Sequence, residues 1–313
     1  MSLLTHKEVL LAKVEATYYV DPTPTVALNA ILVEDLSWAL AGARSIERKP
    51  VRSSLGSLKS LYGGTLVSLS FTTEVKGSGA AGTAPEIDAL LEGCGFLGTN
   101  SPGVSETYAP TSSSTPNKSV GFYYYADATL MKVLGCYGDF TFTMETGSVA
   151  KINWTFTGHL TTMTDVTPGA ATYHSTVPPV MIAVTGFTVG GYAAVINALT
   201  FTPANSVTTP SSLVATDGFG TIRIAARDVQ GSFDPEHVTV ATSPFWTDFK
   251  SGTSKLLTTG VIGATAGNRF RITMPAMYYR SVAPGDRDGI RTWDIPFGAE
   301  ESAGDDEVTI TFT

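Results

Sequence analysis

The sequence predicts an all-β protein with minor α-helix, a β-sandwich or barrel plus a short helix in each of two tandem domains. Three observations predict this. Apolar residues alternate with Ser and Thr along several segments, which is the spacing of half-buried strands. Helical patterns are few and short. A segment that opens with Gly-Thr occurs at 64–77 and again at 220–231, and each copy is soon followed by Pro-Glu, which indicates an internal repeat.

The first domain is predicted to span residues 1–160 and to begin with an N-terminal arm at 1–28. Thr5-His6-Lys7-Glu8 has the pattern of a capping box and predicts a short helix to about Glu15. The remaining elements follow from period and turn signals. They are a strand within 29–40, a strand at 65–75, a helix at 86–92, a loop from 98 to 119, a strand at 122–125, and a hairpin of 140–144 with 150–156.

A long loop at 41–63 lies between the first two strands and is rich in basic residues. Loops longer than roughly 12–15 residues are usually functional or disordered. This one has three interpretations: it binds nucleic acid, it meets the acidic stretch 300–307 of another copy, or it is solvated like most surface charge. Few aromatic residues accompany the basic ones. The residues predicted to form a contact between copies are Arg44, Arg48, Lys49, Arg52, Lys59, Glu300, Glu301, Asp305 and Asp306.

A linker is predicted at 161–179 and a second domain at 180–313. Its elements repeat the order of the first domain: strands around 184 and at 195–201, a polar loop at 203–218, a strand at 221–229, a helix at 244–250, a strand at 270–274, and a hairpin of 293–297 with 308–313. The apolar faces of the two Gly-Thr strands are one residue out of step. A one-residue slip inverts the faces of a strand, so we predict a β-bulge near 71–75 or 225–229.

The composition argues against several functions. The chain carries 20 basic and 28 acidic residues, a net charge of −8, which disfavours sequence-independent DNA binding. Only 15% of the residues are charged. A surface buried in an assembly and a β protein that uses Ser and Thr hydroxyls in place of charges both account for this value. No apolar run approaches membrane-spanning length, and Cys94 and Cys136 leave open whether they are paired.

No catalytic, cofactor or metal site is predicted. The four histidines lack metal-site spacing, and no nucleophile elbow is present. Asp286-Arg287-Asp288-Gly289 begins like a calcium loop, but Phe297 stands where the closing glutamate would have to be. We therefore do not expect an enzyme.

Four segments are similar to the major tail tube protein of long, non-contractile-tailed (siphovirus-type) bacteriophages. They are the opening run from Ala12 to Ile31, the block from Val75 to Gly95, the run Asp286-Arg287-Asp288-Gly289-Ile290-Arg291-Thr292, and the run from Gly304 to Ile310. The resemblance implies tail-tube-type domains, each a β-sandwich with a flanking helix and a hairpin that joins its neighbours in an inner barrel. It also implies that the loop at 41–63 reaches the adjacent ring.

The function implied is that of a virion structural protein which polymerises into stacked rings, the conduit for DNA ejection. The chain would act in the virion tail after assembly in the host cytoplasm, with itself, the tape measure protein and the tail-end proteins as partners. DNA would pass without specific binding. Because family members with a single domain form six-subunit rings, a doubled chain implies a homotrimer with a pseudo-hexameric ring.

A second hypothesis belongs to a different class of function, a two-domain β-sandwich that binds carbohydrate. Trp154, Trp293 and the tyrosines at 123–125 would then be stacking platforms. The alternation of Trp154 with Ile152 and Phe156 instead favours a core position. A hydrolase is the least supported reading, because no nucleophile and base can be named.

Overall fold

The computed structural model describes residues 7–113 and 118–313, and in them the chain is almost entirely antiparallel β-sheet with two short helices. The predicted all-β class is confirmed. The first half contains the following elements: β1 Glu8–Val14, β2 Ala30–Ile31, β3 Glu34–Ala41, β4 Ser45–Ile46, β5 Leu61–Tyr62, β6 Leu66–Glu74, α1 Asp88–Gly93, β7 Phe96–Ser101, β8 Ser105–Pro110, β9 Val120–Ala126, β10 Thr129–Glu145 and β11 Lys151–Asp165.

The predicted N-terminal helix is wrong where the structure describes it. Thr5 and His6 lie outside the described residues, and the chain from Glu8 onward is strand β1, which pairs with β9 along its whole length. Leu10, Leu11 and Ala12 are consecutive and all buried, so both faces of this strand are covered. A capping box is a local signal, and here the long-range pairing of an apolar segment outweighs it.

The strand at 65–75 is confirmed as β6. Val67, Leu69 and Phe71 are buried while Ser68 and Ser70 are only partly covered, as the alternation predicts. The helix at 86–92 is confirmed as α1 and the strand at 122–125 as β9.

The predicted hairpin is confirmed as β10–β11 and is longer than expected, because β11 continues to Asp165, past the predicted domain boundary at 160. The predicted loop at 98–119 is wrong in its first part, where β7 and β8 form a second hairpin with Gly103 at φ +71° in its turn. The buried face of β8 carries Glu106, Tyr108 and Pro110, so this segment lacks the apolar alternation that marks a strand.

The second half contains β12 Thr188–Val189, β13 Ala198–Thr202, β14 Ser206–Thr208, β15 Arg223–Ala226, β16 Gln230–Phe233, α2 Phe245–Ser251, β17 Lys255–Thr258, β18 Phe270–Tyr279, β19 Ala283–Arg287, β20 Ile290–Glu300 and β21 Thr309–Phe312. The helix at 244–250 and the strand at 270–274 are confirmed. No strand forms around 184 in this described region, and the strand predicted at 195–201 begins at Ala198.

The two Gly-Thr segments do not occupy equivalent places. The first contains β6, but the second contains β15, which pairs with β14 in a separate two-stranded sheet, and then β16. The predicted bulge is confirmed at the second of its two places: the pairing of β14 with β15 shifts register between Ser206↔Ala226 and Val207↔Ile224, which leaves Ala225 as an extra residue in β15. At the first place, the pairing of β6 with β11 runs without a register shift from Val67 to Glu74. The out-of-step faces reflect two different strands.

The predicted C-terminal hairpin is also wrong. β20 and β21 do not pair with each other; both pair with β18, β20 along its C-terminal part and β21 along its N-terminal part. The connection at 301–308, which contains Glu301, Asp305, Asp306 and Glu307, lies between them in the chain.

Both halves nevertheless follow the same neighbour order. In the first half the order is β1, β9, β10, β11, β6, β3. In the second half it is β12, β17, β18, β20, β16, β13. If the six strands of each half are numbered by their position along the chain, both halves have the same neighbour order: first, fourth, fifth, sixth, third, second. Each half has its helix at the matching point, α1 between β6 and β9, and α2 between β16 and β17.

The halves join by strand pairing. The C-terminal end of β10 pairs with β13, from Phe142↔Phe201 to Glu145↔Ala198, and β21 pairs with β8. At the first junction the rings of Phe142 and Phe201 are stacked, with centroids 5.1 Å apart, inside a core cluster that extends through both halves. The chain is thus one continuous β structure.

Cys94 and Cys136 are both buried free thiols, which settles the pairing that the sequence left open. Burial raises the pKa of both thiols well above the ordinary value, and nearby carboxylates act in the same direction. Since the thiolate is the reactive form, both groups are chemically inert in the folded protein.

Candidate self-assembly surface

Two short ribbons stand at matching places in the two halves. Ribbon A consists of β4, β5 and the connecting residues 47–60, and it joins β3 to β6. Ribbon B consists of β14, β15 and the connecting residues 209–222, and it joins β13 to β16. The sequence predicted the place of ribbon A but divided ribbon B into a short loop and a strand. The structure therefore gives two candidate contact loops instead of one.

The tips of both ribbons expose apolar side chains to solvent. Val51 and Leu55 in ribbon A are fully exposed, and so are Leu213 and Val214 in ribbon B. A single exposed apolar residue needs no explanation, but matching pairs on two equivalent ribbons indicate a contact surface. The sequence-based prediction for this loop rested on its charges and included none of these four residues. Their signal was a small number of apolar residues within polar connections: Val51 and Leu55 among Ser, Gly and Arg, and Leu213-Val214 between Ser212 and Ala215.

Four of the predicted basic residues lie on the exposed connection of ribbon A: Arg48, Lys49, Arg52 and Lys59. The Lys49 ammonium lies 2.9 Å from the Glu47 carboxylate, and Arg52 donates a hydrogen bond to the carbonyl of Gly56. Both contacts are local and solvent-exposed, so they contribute little to stability. Ribbon A therefore presents net positive charge at its tip.

Arg44 has a different position, at the base of ribbon A, where it contacts ribbon B. Its guanidinium donates hydrogen bonds to the carbonyl of Gly218 (3.1 Å) and the hydroxyl of Ser211 (2.9 Å), and it lies 4.0 Å from the centroid of the Phe219 ring. A planar guanidinium suits this combination of fork and stacking contacts. Arg44 thus fixes the two ribbons to each other within one chain.

A buried polar network anchors the base of ribbon B to the main sheet. The His159 imidazole hydrogen-bonds to the Asp217 carboxylate, and its Nε2 lies 3.0 Å from the Tyr18 hydroxyl. That hydroxyl also accepts the backbone N–H of Ile222 at 2.9 Å. Burial, more than any other cause, raises the pKa of Tyr18 above its usual range, so the hydroxyl stays neutral. No role for His159 could be predicted from the sequence, because its partners Tyr18 and Asp217 are distant from it along the chain.

The acidic residues do not behave as one surface. Asp305 lies 2.5 Å from Arg227, whose guanidinium also binds Glu307 at 2.9 Å. Burial opposes the charged form of Asp305, but hydrogen bonds from Ser112 and the ion pair with Arg227 outweigh it, so the pKa of this carboxyl lies below its ordinary 3.8. Asp306 accepts backbone N–H groups of its own loop. Glu300 and Glu301 remain exposed.

Within the described chain no ion pair joins the basic residues of ribbon A to the acidic residues at 300–307. The two groups are thus not each other's partners inside one molecule. Arg44 and Asp305 already have partners within the chain, whereas Arg48, Arg52, Lys59, Glu300 and Glu301 make no ion pair in the part of the chain that the structure covers. Arg227 was missed because no local pattern marks it.

Most of the aromatic residues named for carbohydrate binding are covered by other side chains. Trp154 is buried, and so are the three tyrosines at 123–125. Lys132 covers the ring of Tyr123 at 4.3 Å, and the hydroxyl of Tyr123 donates to Asp21. Trp293 is half-buried and lies against the ring of His237, with centroids 4.3 Å apart. The aromatic set is thus mostly core.

Across residues 7–113 and 118–313 no group of three His, Cys, Asp or Glu side chains is arranged to hold a metal ion. In those residues no helix has both the length and the apolar character needed to cross a membrane.

The family model described as phage tail tube protein matches residues 5–313. The chain belongs to the phage tail tube protein family. No curated protein matches it. Membership makes this tail tube protein a structural component of the phage tail whose copies self-assemble into a tube.

Proposed function

We propose that the chain is a doubled tail tube subunit whose copies close into rings, and that the rings stack into the tube through which DNA is ejected. The observation that carries the proposal is the shared neighbour order of six strands in both halves, joined edge to edge by β10 and β13. One chain then supplies two tube domains, near 1–160 and 180–313, and three chains form a pseudo-hexameric ring.

The charge of the chain is compatible with a conduit for DNA. With a net charge of −8 and strands rich in Thr and Ser, the tube repels phosphate more than it holds it. Binding that releases few counterions is weak, so DNA passes without being retained. The tape measure protein and tail-end proteins are the further partners we propose, with assembly in the host cytoplasm and no enzymatic activity.

Electron microscopy of the purified protein tests the proposal. We expect rings with three copies of the chain, or tubes built from such rings, because contacts within a ring close and contacts between rings propagate. A monodisperse monomer at every salt concentration would contradict the proposal.

We further propose that the two ribbons contact the next ring, with the basic tip of ribbon A facing the exposed Glu300 and Glu301. Reversing Arg48 and Lys49 to Glu is expected to shorten the tubes several-fold and to reduce their dependence on salt. The reversal replaces attraction between rings by repulsion, whereas the fold is unaffected because both side chains are exposed. Tube length by electron microscopy at low and high salt is the measurement.

The matched control reverses two exposed lysines elsewhere, Lys13 and Lys250, and changes the net charge by the same amount. This control should leave tube length unchanged. Equal tube lengths and salt dependence in the ribbon variant and the wild type would remove ribbon A from the contact between rings.

A further inference from the structure

We infer that β3 of one copy pairs edge to edge with β19 of a second copy, and that this pair is the contact that closes the ring. The inference rests on the proposed function and adds the two strand edges that meet. It follows from comparing the two halves of the chain, which differ in what covers equivalent strands.

The strand edge that is paired in β13 of the second half is unpaired in β3, its counterpart in the first half. β3 and β13 hold the same place, each beside the strand that follows its ribbon. β13 has a second neighbour, the end of β10, and its Leu199 and Phe201 are 0% and 1% exposed. β3 has β6 as its single strand partner among the described residues, and its Trp38 and Leu40 are 43% and 56% exposed.

The other strand of the proposed pair, β19, is the counterpart in the second half of the C-terminal end of β10. β10 pairs with β9 along its first part and then, beyond that strand, with β13. In the second half β18 pairs with β17 along the same edge, and after a break at 280–282 the strand resumes as β19. β19 pairs with β20 on one side. Its other edge has no backbone partner in the described part of the chain.

The edge of β19 also adjoins an apolar groove. Trp246, Trp293, Val282 and Pro284 line it, and Trp246 is half exposed. The apolar side chains that β3 leaves uncovered have the size and chemistry to fill this groove, as Phe201 packs against Phe142 at the internal junction. Two open edges with exposed apolar residues are a liability in a monomer, and mutual pairing removes both.

The geometry fits ring closure. Inside the chain the first half offers the end of its hairpin to the second half, so the second half must offer its own hairpin end, β19, to the first half of the next copy. Such a contact joins different surfaces of two copies, head to tail, and therefore generates a closed ring when the rotation between copies closes.

Cysteine cross-linking in assembled wild-type-like tubes tests the inference. Ser37 or Ala39 in β3 is replaced by Cys together with Ala283 or Asp286 in β19, and the four double variants are treated with an oxidant and with a short bismaleimide. Native Cys94 and Cys136 are buried and do not compete. We expect covalent dimers and trimers in at least one combination. The matched positive control is Glu145→Cys/Ala198→Cys at the internal junction, whose register is Glu145↔Ala198 and which should cross-link within one chain.

A second variant blocks the edge without touching the core. Trp38→Lys/Leu40→Lys places charge on β3, a device that prevents edge pairing. We expect a folded monomer, with circular dichroism like that of the wild type and at least a tenfold loss of rings. Tubes that form normally in this variant, with no cross-link in any combination, would overturn the pairing of β3 with β19 and leave the proposed tube function intact. A wild-type chain that never assembles would overturn both.

Discussion

Replacing Lys76 with methionine is expected to lower the free energy of unfolding by about 3–5 kcal/mol. The Lys76 ammonium lies 3.1 Å from the Glu86 carboxylate, and both side chains are buried. Lys76 also donates to the carbonyl of His174 at 3.2 Å. Removing the cation leaves the Glu86 charge without compensation in a place where water cannot reach it. Urea denaturation followed by circular dichroism measures the loss.

The double variant Lys76→Met/Glu86→Gln tests whether the loss of stability comes from the unpaired buried charge of Glu86. Glutamine removes the buried charge and keeps an acceptor for the backbone N–H of Leu32, which Glu86 now binds at 2.8 Å. We expect the double variant to be more stable than the single one, because replacing both partners of a buried ion pair costs less than removing one. If Lys76→Met alone were as stable as the wild type, the buried pair would not hold this site together.

The matched control is an exposed ion pair in the same half. Lys151 and Glu34 lie 2.5 Å apart with side chains that are about half exposed. Lys151→Met is expected to change the free energy of unfolding by about 1 kcal/mol or less, because solvent screens exposed pairs. Because the chemical change is the same at both lysines, the difference between their losses of unfolding free energy gives the contribution of burial.

The sequence could predict the elements whose signal is local. β6 and the β10–β11 hairpin alternate clearly, and the helix at α1 ends at glycines, so period and turn chemistry sufficed. The segment at β1 could not be predicted in this way. Its capping box is a valid local signal, but the burial of Leu10 and Leu11 on opposite faces depends on strands far away in sequence.

The repeat shows the same limit more sharply. Gly-Thr occurs in both halves, yet it precedes β6 in the first half and β15 of ribbon B in the second. Equivalence between the halves exists in strand order and is scarcely visible in residue type: Phe201 in β13 is buried, while β3 has an exposed Trp38. Alternation tells which face of a strand is apolar but not which strand covers its edge.

The candidate contact residues divide in the same manner. The basic tip of ribbon A could be predicted, because a long charged loop is a composition signal. The contacts of Arg44 with Gly218 and of Asp305 with Arg227 could not, because each joins residues separated by tens to hundreds of positions.

Replacing Trp154 with alanine is expected to lower the free energy of unfolding by about 3–5 kcal/mol, as much as the replacement of Lys76. The indole lies between Phe140 and Phe156, with ring centroids 5.2 and 6.1 Å away, and all three are buried. Its Nε1–H donates to the hydroxyl of Thr73 at 2.8 Å. The substitution thus opens a cavity in the sheet and leaves a buried hydroxyl without its donor, two costs that add.

Two further substitutions separate these costs. Trp154→Phe keeps most of the volume but loses the N–H, so it should lose clearly less stability than Trp154→Ala. Trp246→Ala removes an indole that is half exposed and should cost about 1 kcal/mol or less. Because Trp154 lies in the β11 strand that pairs with β6, its loss should also reduce tube yield through the folded fraction. Thermal melting with a light-scattering assay of assembly measures both quantities. A Trp154→Ala protein that melts like the wild type would show that this strand pair is not part of the core.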